Sequence, residues 1–455
     1  MEDLAVVVLA AGQGTRMKSK TPKVLHRLAG KPMVCHVLDA VSVLDPSKVV
    51  LVIGHEGEQV RRALERSLEF VEQTEQMGTG HAVLQARPVL EGMGDHILVL
   101  YGDTPLLRGD TLQGLVDLHY RSGATITMLV AQAEDPRGYG RIIRVDGEIR
   151  GIVEEQAATE EQKLLREINS GVYCFDAAWL WGHLPEVPLN EKGEYYLTDL
   201  IALAPAEGRV VRAFAVEDPD DAMGVNDRVQ LAEAESLLQW RIRQQLMLSG
   251  VTMVDPGLVF VDADVVIGQD TVIYPGSFLR GRTRIGEGCV IGPNSYIEDS
   301  GIAAKCRIFA SVVEGAVVDE GVSIGPFSHL RQGAHLAEGV HLGNFAEVKN
   351  SFLGHDTKQH HFSYIGDATV GKRVNIGAGT ITCNFDAETG EKHRTVIEDD
   401  VALGSDTMLV APVRVGRGGE TGAGSVVTKD IPPECLAVGV PAKVVRKVTK
   451  VVRKV

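Results

Sequence analysis

The sequence predicts two folds in series: an α/β unit built on a largely parallel sheet, then a parallel β-helix. Three observations carry this. Short apolar runs alternate with helix-length stretches through the first half. A long segment of helical spacing without Gly or Pro follows, and beyond it aliphatic residues recur every six positions. At 455 residues and 49.0 kDa, a prior of ~150 residues per domain gives room for two to four domains.

Leu4–Ala10, Val49–Ile53, His96–Tyr101 and Thr125–Ala131 read as buried strands rich in Val, Ile and Leu. Between them, Met33–Val43 and Glu56–Leu68 have helical length and spacing. Residues 1–226 are expected to form this first domain. From Asp227 to Ser249, apolar Leu231, Leu237, Leu238, Ile242 and Leu246 recur at helical spacing, with Gly250 as a stop. Residues 227–249 therefore read as a linker helix.

After it the period changes. Val261, Ile267, Ile273, Leu279, Ile285, Ile291 and Ile297 stand six apart. The phase slips, resumes from Ile324 to Val348, and runs again from Ile397 through Thr421 to Val427. A helix repeats at 3.6 and a strand at 2, so a strict six fits neither alone. It fits short strands separated by turns, each placing one aliphatic inward, stacked as a parallel β-helix. Residues 250–440 are assigned to it, leaving a basic tail over 441–455.

Composition narrows the function. A net charge of −15 argues against nucleic acid, whose backbone needs a basic footprint, but not against phosphorylated small molecules. The 50 glycines exceed the usual ~7% and imply many turns. Six scattered cysteines with no CxxC pair argue against disulfides or zinc and for a reducing compartment. Met1-Glu2-Asp3 has the wrong charge for a signal peptide, and the run Leu4–Ala11 falls far short of the ~20 residues a membrane span needs. The expectation is a soluble, cytoplasmic protein without a membrane partner.

Behind the first strand comes Leu9-Ala10-Ala11-Gly12-Gln13-Gly14-Thr15-Arg16-Met17, then Pro22-Lys23. Gly12 and Gly14 let backbone N–H groups approach a phosphate, and Arg16 and Lys23 add charge. Met17 breaks the dinucleotide-binding GxGxxG pattern, and the run is not a Walker A loop. Tyr101-Gly102-Asp103 ends another strand, where open α/β sheets place ligand groups. Asp103 could hold Mg²⁺, which keeps waters and phosphates as further ligands.

The run LAAGQGTRM plus PK resembles the signature of sugar-1-phosphate nucleotidylyltransferases. That resemblance implies base recognition by Gln73 and by the loop containing Gly78 and Thr79, a second metal contact at Asn226 beside Asp103, and sugar contacts at Gly140, Glu154 and Asn169. The implied chemistry is phosphoryl transfer: a sugar-1-phosphate oxygen attacks the α-phosphorus of a nucleoside triphosphate and pyrophosphate leaves. Such a reaction needs positioning and charge neutralisation, here from Mg²⁺, Lys23 and Arg16.

In the second half, His360-His361-Phe362-Ser363-Tyr364 interrupts the repeat. His is the commonest general base for deprotonating an amine. Arg331, Lys349 and Lys392 are cations suited to a phosphate. The run Asn375-Ile376-Gly377-Ala378-Gly379-Thr380-Ile381-Thr382-Cys383-Asn384-Phe385-Asp386 completes the pattern. With both halves in this order, the chain from Leu9 to about Ala437 resembles the bacterial family of bifunctional N-acetylglucosamine-1-phosphate uridylyltransferase/glucosamine-1-phosphate N-acetyltransferases. The resemblance implies a Rossmann-like nucleotidyltransferase domain, a left-handed β-helix of hexapeptide repeats, and a homotrimer through that helix. It further implies His361 as acetyltransferase base, with Arg331, Lys349, Tyr364, Asn375 and Lys392 on the amino-sugar phosphate. Asn384 then lies beside the reacting amine, and Ala378, Phe385, Ser405 and Ala423 line the acetyl-coenzyme A side. UTP and acetyl-coenzyme A are the implied co-substrates. Cys383 is read as packing.

Two departures stand out. Phe385 occupies a position where many relatives have Tyr, and the ending Leu436–Lys443 lacks the Arg that some members carry there. Lys443, Arg446, Lys447, Lys450, Arg453 and Lys454 follow, with Val444, Val445, Val448, Val451, Val452 and Val455 at helical spacing. The tail reads either as a frayed basic end or as a docked segment whose cations, Lys443 and Arg446 among them, hold the coenzyme A phosphates. A competing expectation for the whole chain is a single-activity sugar-nucleotide pyrophosphorylase with a regulatory β-helix. A third is a non-catalytic regulatory subunit.

Overall fold

A computed structural model describes residues 3–54, 56–64 and 68–448, as two compact units, Met1–Leu238 and Gln239–Val455. The first contains a nine-stranded mixed sheet. Its central strand, Leu4–Ala10, pairs in parallel with Lys48–Ile53 on one side and His96–Tyr101 on the other. Beyond His96–Tyr101, strand Glu167–Asp176 runs antiparallel to both of its neighbours, one of which is Ile126–Gln132. Hairpin Arg141–Val145/Glu148–Val153 attaches to that strand.

The apolar run of the central strand is continuous because both faces of the sheet are covered. Ala5, Val7 and Leu9 join one hydrophobic core, while Leu4, Val6, Val8 and Ala10 join another on the opposite face. Helix Met33–Ser42 supplies Val34, Val37, Leu38 and Val41 to the second core. The expected helix at 56–68 is shorter: it spans Gly57–Ala63 and ends before Leu64, whose backbone is extended. The segment's remaining positions 65–67 lie outside the described residues.

Helix Arg228–Leu248 packs with its two ends on different cores. Leu231, Ala234, Leu237 and Leu238 meet Leu28, Met33, Leu106 and Val225 in the first unit. Ile242, Leu246 and Met247 pack on the β-helix core in the second. No helix among the described residues is long and apolar enough to cross a membrane.

The second unit is a parallel β-helix with three faces. Inward residues stack in register from coil to coil: on the second face Leu279, Ile297, Val313, Leu330, Val348 and Ile365. The third face stacks Ile267, Ile285, Ile302, Val318, Leu336, Leu353 and Val370. The phase slips seen in the sequence are shortened turns, since Ile302, Val313 and Val318 are all buried inward residues of complete coils. The wider gap before Ile397 is an excursion from Asn384 to Arg394, closed by an antiparallel bridge between Phe385 and Lys392.

Among its described residues the tail does not take the helical form its spacing suggested. Lys443–Lys447 forms a strand, antiparallel to Cys435–Val438, with every residue exposed. Strand pairing at the open end of the β-helix satisfies its backbone groups, which an isolated helix there would leave unpaired. The tail's positions 449–455, including Lys450, Arg453 and Lys454, lie outside the described residues.

Candidate active sites

In the first unit, Ala10, Ile53 and Tyr101 end neighbouring parallel strands, so the loops following them gather at one edge of the sheet. Leu9, Ala10 and Ala11 bury their side chains, and the exposed Gly12 follows them just beyond the strand's end. A Cβ at Gly12 would meet no atom within 4 Å, whereas one at Gly14 (φ 58°) would approach Lys23 Cβ to 2.7 Å. Glycine at 14 thus allows the left-handed turn that brings Lys23 close.

Four polar side chains converge here. Lys23 Nζ forms an ion pair with Asp103 and reaches Asn226 Oδ1 at 3.2 Å. Arg16 Nη2 donates to the same Asn226 oxygen at 2.9 Å. The backbone N–H of Val225 donates to Asp103 O at 2.9 Å, tying the two metal candidates together. Asp103 and Asn226 therefore aim two hard oxygens at one ammonium, a donor set that suits Mg²⁺ and requires no larger protein cage. Among the described residues there is no cluster of three or more His, Cys, Asp or Glu that could hold a metal ion.

Gln73 is buried, and its Nε2 donates to Gly78 O at 3.0 Å and lies 3.1 Å from His81 Nδ1. Gly78 (φ 94°) passes so close to Tyr195 that a Cβ would sit 2.6 Å from its carbonyl oxygen. Thr79 Oγ1 accepts from the N–H of Leu197 at 3.0 Å. The strap around Tyr195–Leu197 is thus part of this wall, although no local motif marked it.

On the other side, Asn169 N–H donates to Gly140 O at 2.9 Å, and Asn169 Nδ2 donates to Tyr173 OH at 2.6 Å. Glu154 flanks Gly140; burial, then Asp199, raises its pKa above the ordinary carboxylate value. Arg141 is fully buried and bonds Glu155 at 2.7 Å and the carbonyl of Tyr139, fixing the Gly138–Gly140 turn. Sequence reading passed over Arg141 because a lone Arg beside a glycine turn looks like surface.

In the second unit the candidates group around one face. Lys349 stands in register with Gly366, and the N–H of Arg331 donates to Val348 O. The bridge between Phe385 and Lys392 brings Lys392 over to them. Lys392, and after it Arg331, holds the pKa of Lys349 below the ordinary ammonium value. Such crowding of like charges is relieved by an anion. Arg331 Nη1 donates to Glu347 Oε1 at 2.9 Å.

Asn384 and Asn350 both donate to the buried, positive-φ Asp367, so Asn384 is held firmly at the same edge. Tyr364 lies mid-face, level with Glu347. His361 is exposed just before that strand, at the opposite edge of the face. Asn375 is not on this face: it pairs with Lys358 and bridges Ala402 on the neighbouring one.

Ala378, Ser405 and Ala423 form a ladder at one corner, since a Cβ at Gly377 would meet Ser405 N at 2.7 Å and one at Gly404 would meet Ala423 N at 2.8 Å. Phe385 is exposed in the excursion. Lys443 pairs with Val438 and Arg446 with Leu436. Cys383 is half-buried, and burial raises its thiol pKa, which disfavours the nucleophilic thiolate.

Residues 6–186 match the MobA-like NTP transferase domain family, and residues 264–299 match the bacterial transferase hexapeptide (six repeats) family. Over its near-full length the chain is similar to curated proteins named bifunctional protein GlmU. That of Heliobacterium modesticaldum is 51% identical over 440 residues, 96% of each chain. Those of Exiguobacterium sibiricum and Halalkalibacterium halodurans are 48% and 47% identical, over 95% and 96% of this chain and 96% of each relative.

Proposed function

The chain belongs to the bifunctional GlmU family, and from that premise we propose how its residues divide the work between two sites. It is a nucleotidyltransferase and an N-acetyltransferase in one polypeptide, making UDP-N-acetylglucosamine with UTP and acetyl-coenzyme A as co-substrates. The alternative of a pyrophosphorylase with a merely regulatory β-helix is set aside, because the relatives share both halves.

In the uridylyl reaction Gly12 and the 13–14 backbone cradle the triphosphate, while Arg16 and Lys23 bind its oxygens. Gln73, Gly78 and Thr79 orient the base. Gly140, Glu154 and Asn169 hold the sugar so that its phosphate oxygen lies in line with the α-phosphorus. A P–O bond forms to that oxygen as the bond to pyrophosphate breaks. Asp103 and Asn226 would hold Mg²⁺, which supplies charge neutralisation on the triphosphate when bound. The convergence of Arg16, Lys23, Asp103 and Asn226 carries this assignment.

In the acetyl reaction, Arg331, Lys349 and Lys392 bind the sugar phosphate, and Tyr364 packs beside it. His361 removes a proton as the amine attacks the thioester carbonyl, and coenzyme A departs as its thiol. Asn375 stands on the neighbouring face, so its contact would be made from the edge of the site. The ladder Ala378–Ser405–Ala423 with Phe385 would flank acetyl-coenzyme A, and Lys443 and Arg446 its phosphates. We further read the protein as a cytoplasmic homotrimer assembled through the β-helix.

Incubation with glucosamine-1-phosphate, acetyl-coenzyme A, UTP and Mg²⁺ should release free thiol and pyrophosphate and yield UDP-N-acetylglucosamine. Pyrophosphate release from N-acetylglucosamine-1-phosphate, with no thiol ever released, would sink the two-site reading.

A further inference from the structure

The inner column of the first face contains one residue that burial alone does not explain. From coil to coil it reads Ile273, Ile291, Ile308, Ile324, Leu342, Gln359, Ile376. Gln359 is as fully buried as the aliphatics beside it, at 0% exposure. Its Oε1 finds no hydrogen-bond partner among the described residues. A carboxamide with a free carbonyl in an apolar column is unfavourable compared with Leu or Ile of similar volume. Its presence calls for something that an aliphatic could not do.

The other end of the amide supplies it. Nε2 donates to Ser363 Oγ at 2.9 Å, and Ser363 Oγ donates to the carbonyl oxygen of His361 at 2.9 Å. Gln359 ends strand Lys358–Gln359, and Ser363 begins strand Ser363–Gly366. The relay therefore pins, from inside the β-helix, the short corner that carries His361 on the outside. Ser363 Oγ accepts one bond and donates the other, and the amide donor fixes which way that hydroxyl points.

We propose that Gln359 is a positioning residue for acetyl transfer, holding the His361 backbone in place through Ser363. This rests on the reading of His361 as the base. Gln359 touches no substrate; it costs the fold an unsatisfied carbonyl and fixes the corner's geometry in return. Anchoring of this kind matters because small misplacements of a catalytic group are costly in rate.

The test uses the full-length enzyme and both assays. Gln359→Leu, which restores the apolar column, should keep or raise the melting temperature. Its acetyl-transfer kcat should fall roughly ten- to a hundredfold, with KM for both acetylation substrates and the uridylyl rate unchanged. Ser363→Ala should reproduce the loss, Ser363→Thr should restore most of the rate, and the double variant Gln359→Leu/Ser363→Ala should be no worse than either single change. Ser363→Ala decides the question alone if Gln359→Leu fails to fold. His361→Ala separates the two premises. Loss there with full activity in Gln359→Leu and Ser363→Ala overturns the positioning role and leaves the base assignment standing. Full acetyl transfer in His361→Ala overturns the base assignment itself.

Discussion

At the scale of single residues, the two proposed sites separate cleanly by substitution. Asp103→Ala should reduce uridylyl transfer by at least about a hundredfold, the scale of a lost transition-state electrostatic contact, yet leave acetyl transfer within about twofold, because the metal proposed there would serve one reaction only. Equal loss of both in a folded variant would contradict the assignment. His361→Ala should do the converse, lowering acetyl-transfer kcat by roughly 10²–10⁴ while uridylyl transfer to supplied N-acetylglucosamine-1-phosphate continues. A third residue bears on stability rather than chemistry. His119 is buried between His96, 3.0 Å away, and Thr127 Oγ1, 2.9 Å away. One ring nitrogen of a neutral imidazole can donate while the other accepts, which the imidazolium cannot do. Burial, then the neighbouring His96, pushes the His119 pKa down from 6.5 to about 4. The unfolded chain therefore binds a proton that the folded one refuses. Stability from this group is fully present above about pH 6.5 and is lost as pH falls toward 4, on the order of 3 kcal/mol. Urea unfolding of the wild type should weaken more steeply across that window than unfolding of His119→Gln; parallel pH slopes would refute it.

At the scale of elements, legibility followed how local the cause of each element was. The six-residue period was readable because each coil needs its own inward aliphatic, and Val261 through Ile297 are all buried as that period requires. The slips between Ile297 and Ile324 were visible but not interpretable, since a turn one residue shorter leaves no signature of its own. That Arg16 and Lys23 converge behind the turn at Gly14 was readable from the run that carries them. The strap at Tyr195–Leu197 was not, because its role comes from contacts with Gly78 and Thr79 more than a hundred residues away. The tail misled over its described part: Val444 and Val445, expected at helical spacing, sit in a strand, because unpaired backbone at Cys435–Val438 decides the conformation of Lys443–Lys447. That strand places Lys443 beside Val438, which packs against Gly422 next to Ala423. Exposed charge-assisted contacts contribute less than the ~1.5–3 kcal/mol of favourable cases. Replacing Lys443 and Arg446 by Gln keeps the strand, so KM for acetyl-coenzyme A should rise around tenfold at low salt and lose much of its salt dependence. KM for UTP should not move. An acetyl-coenzyme A KM indifferent to both changes would make the tail an edge cover and nothing more.

At the scale of the whole chain, the change of period after Gly250 announced two architectures, and the chain does divide into two compact units. The sequence placed the boundary around a helix, and the contacts explain why a helix suits it. Leu231, Ala234, Leu237 and Leu238 complete a core with Leu28, Met33, Leu106 and Val225, so the first half of that helix is structurally part of the first unit. Glu235 also accepts from the N–H of Ala29 at 2.7 Å, and Gln230 Oε1 accepts from the N–H of Asn226 at 2.8 Å, which holds a proposed metal contact in place. A fragment cut at residue 226 would strip these contacts and expose the cluster around Met33. One ending at Arg241 keeps them all, and it also keeps every residue assigned to uridylyl transfer. That fragment should be soluble, should turn over UTP and N-acetylglucosamine-1-phosphate within about threefold of the full chain, since nothing in its site is removed, and should show no acetyl transfer. The fragment ending at 226 should be less stable and bind Mg²⁺ more weakly, because Asn226 loses its Gln230 anchor. Equal activity from both fragments would show that the helix is only a connector, and a folded but inactive 1–241 fragment would show that the first site needs the β-helix.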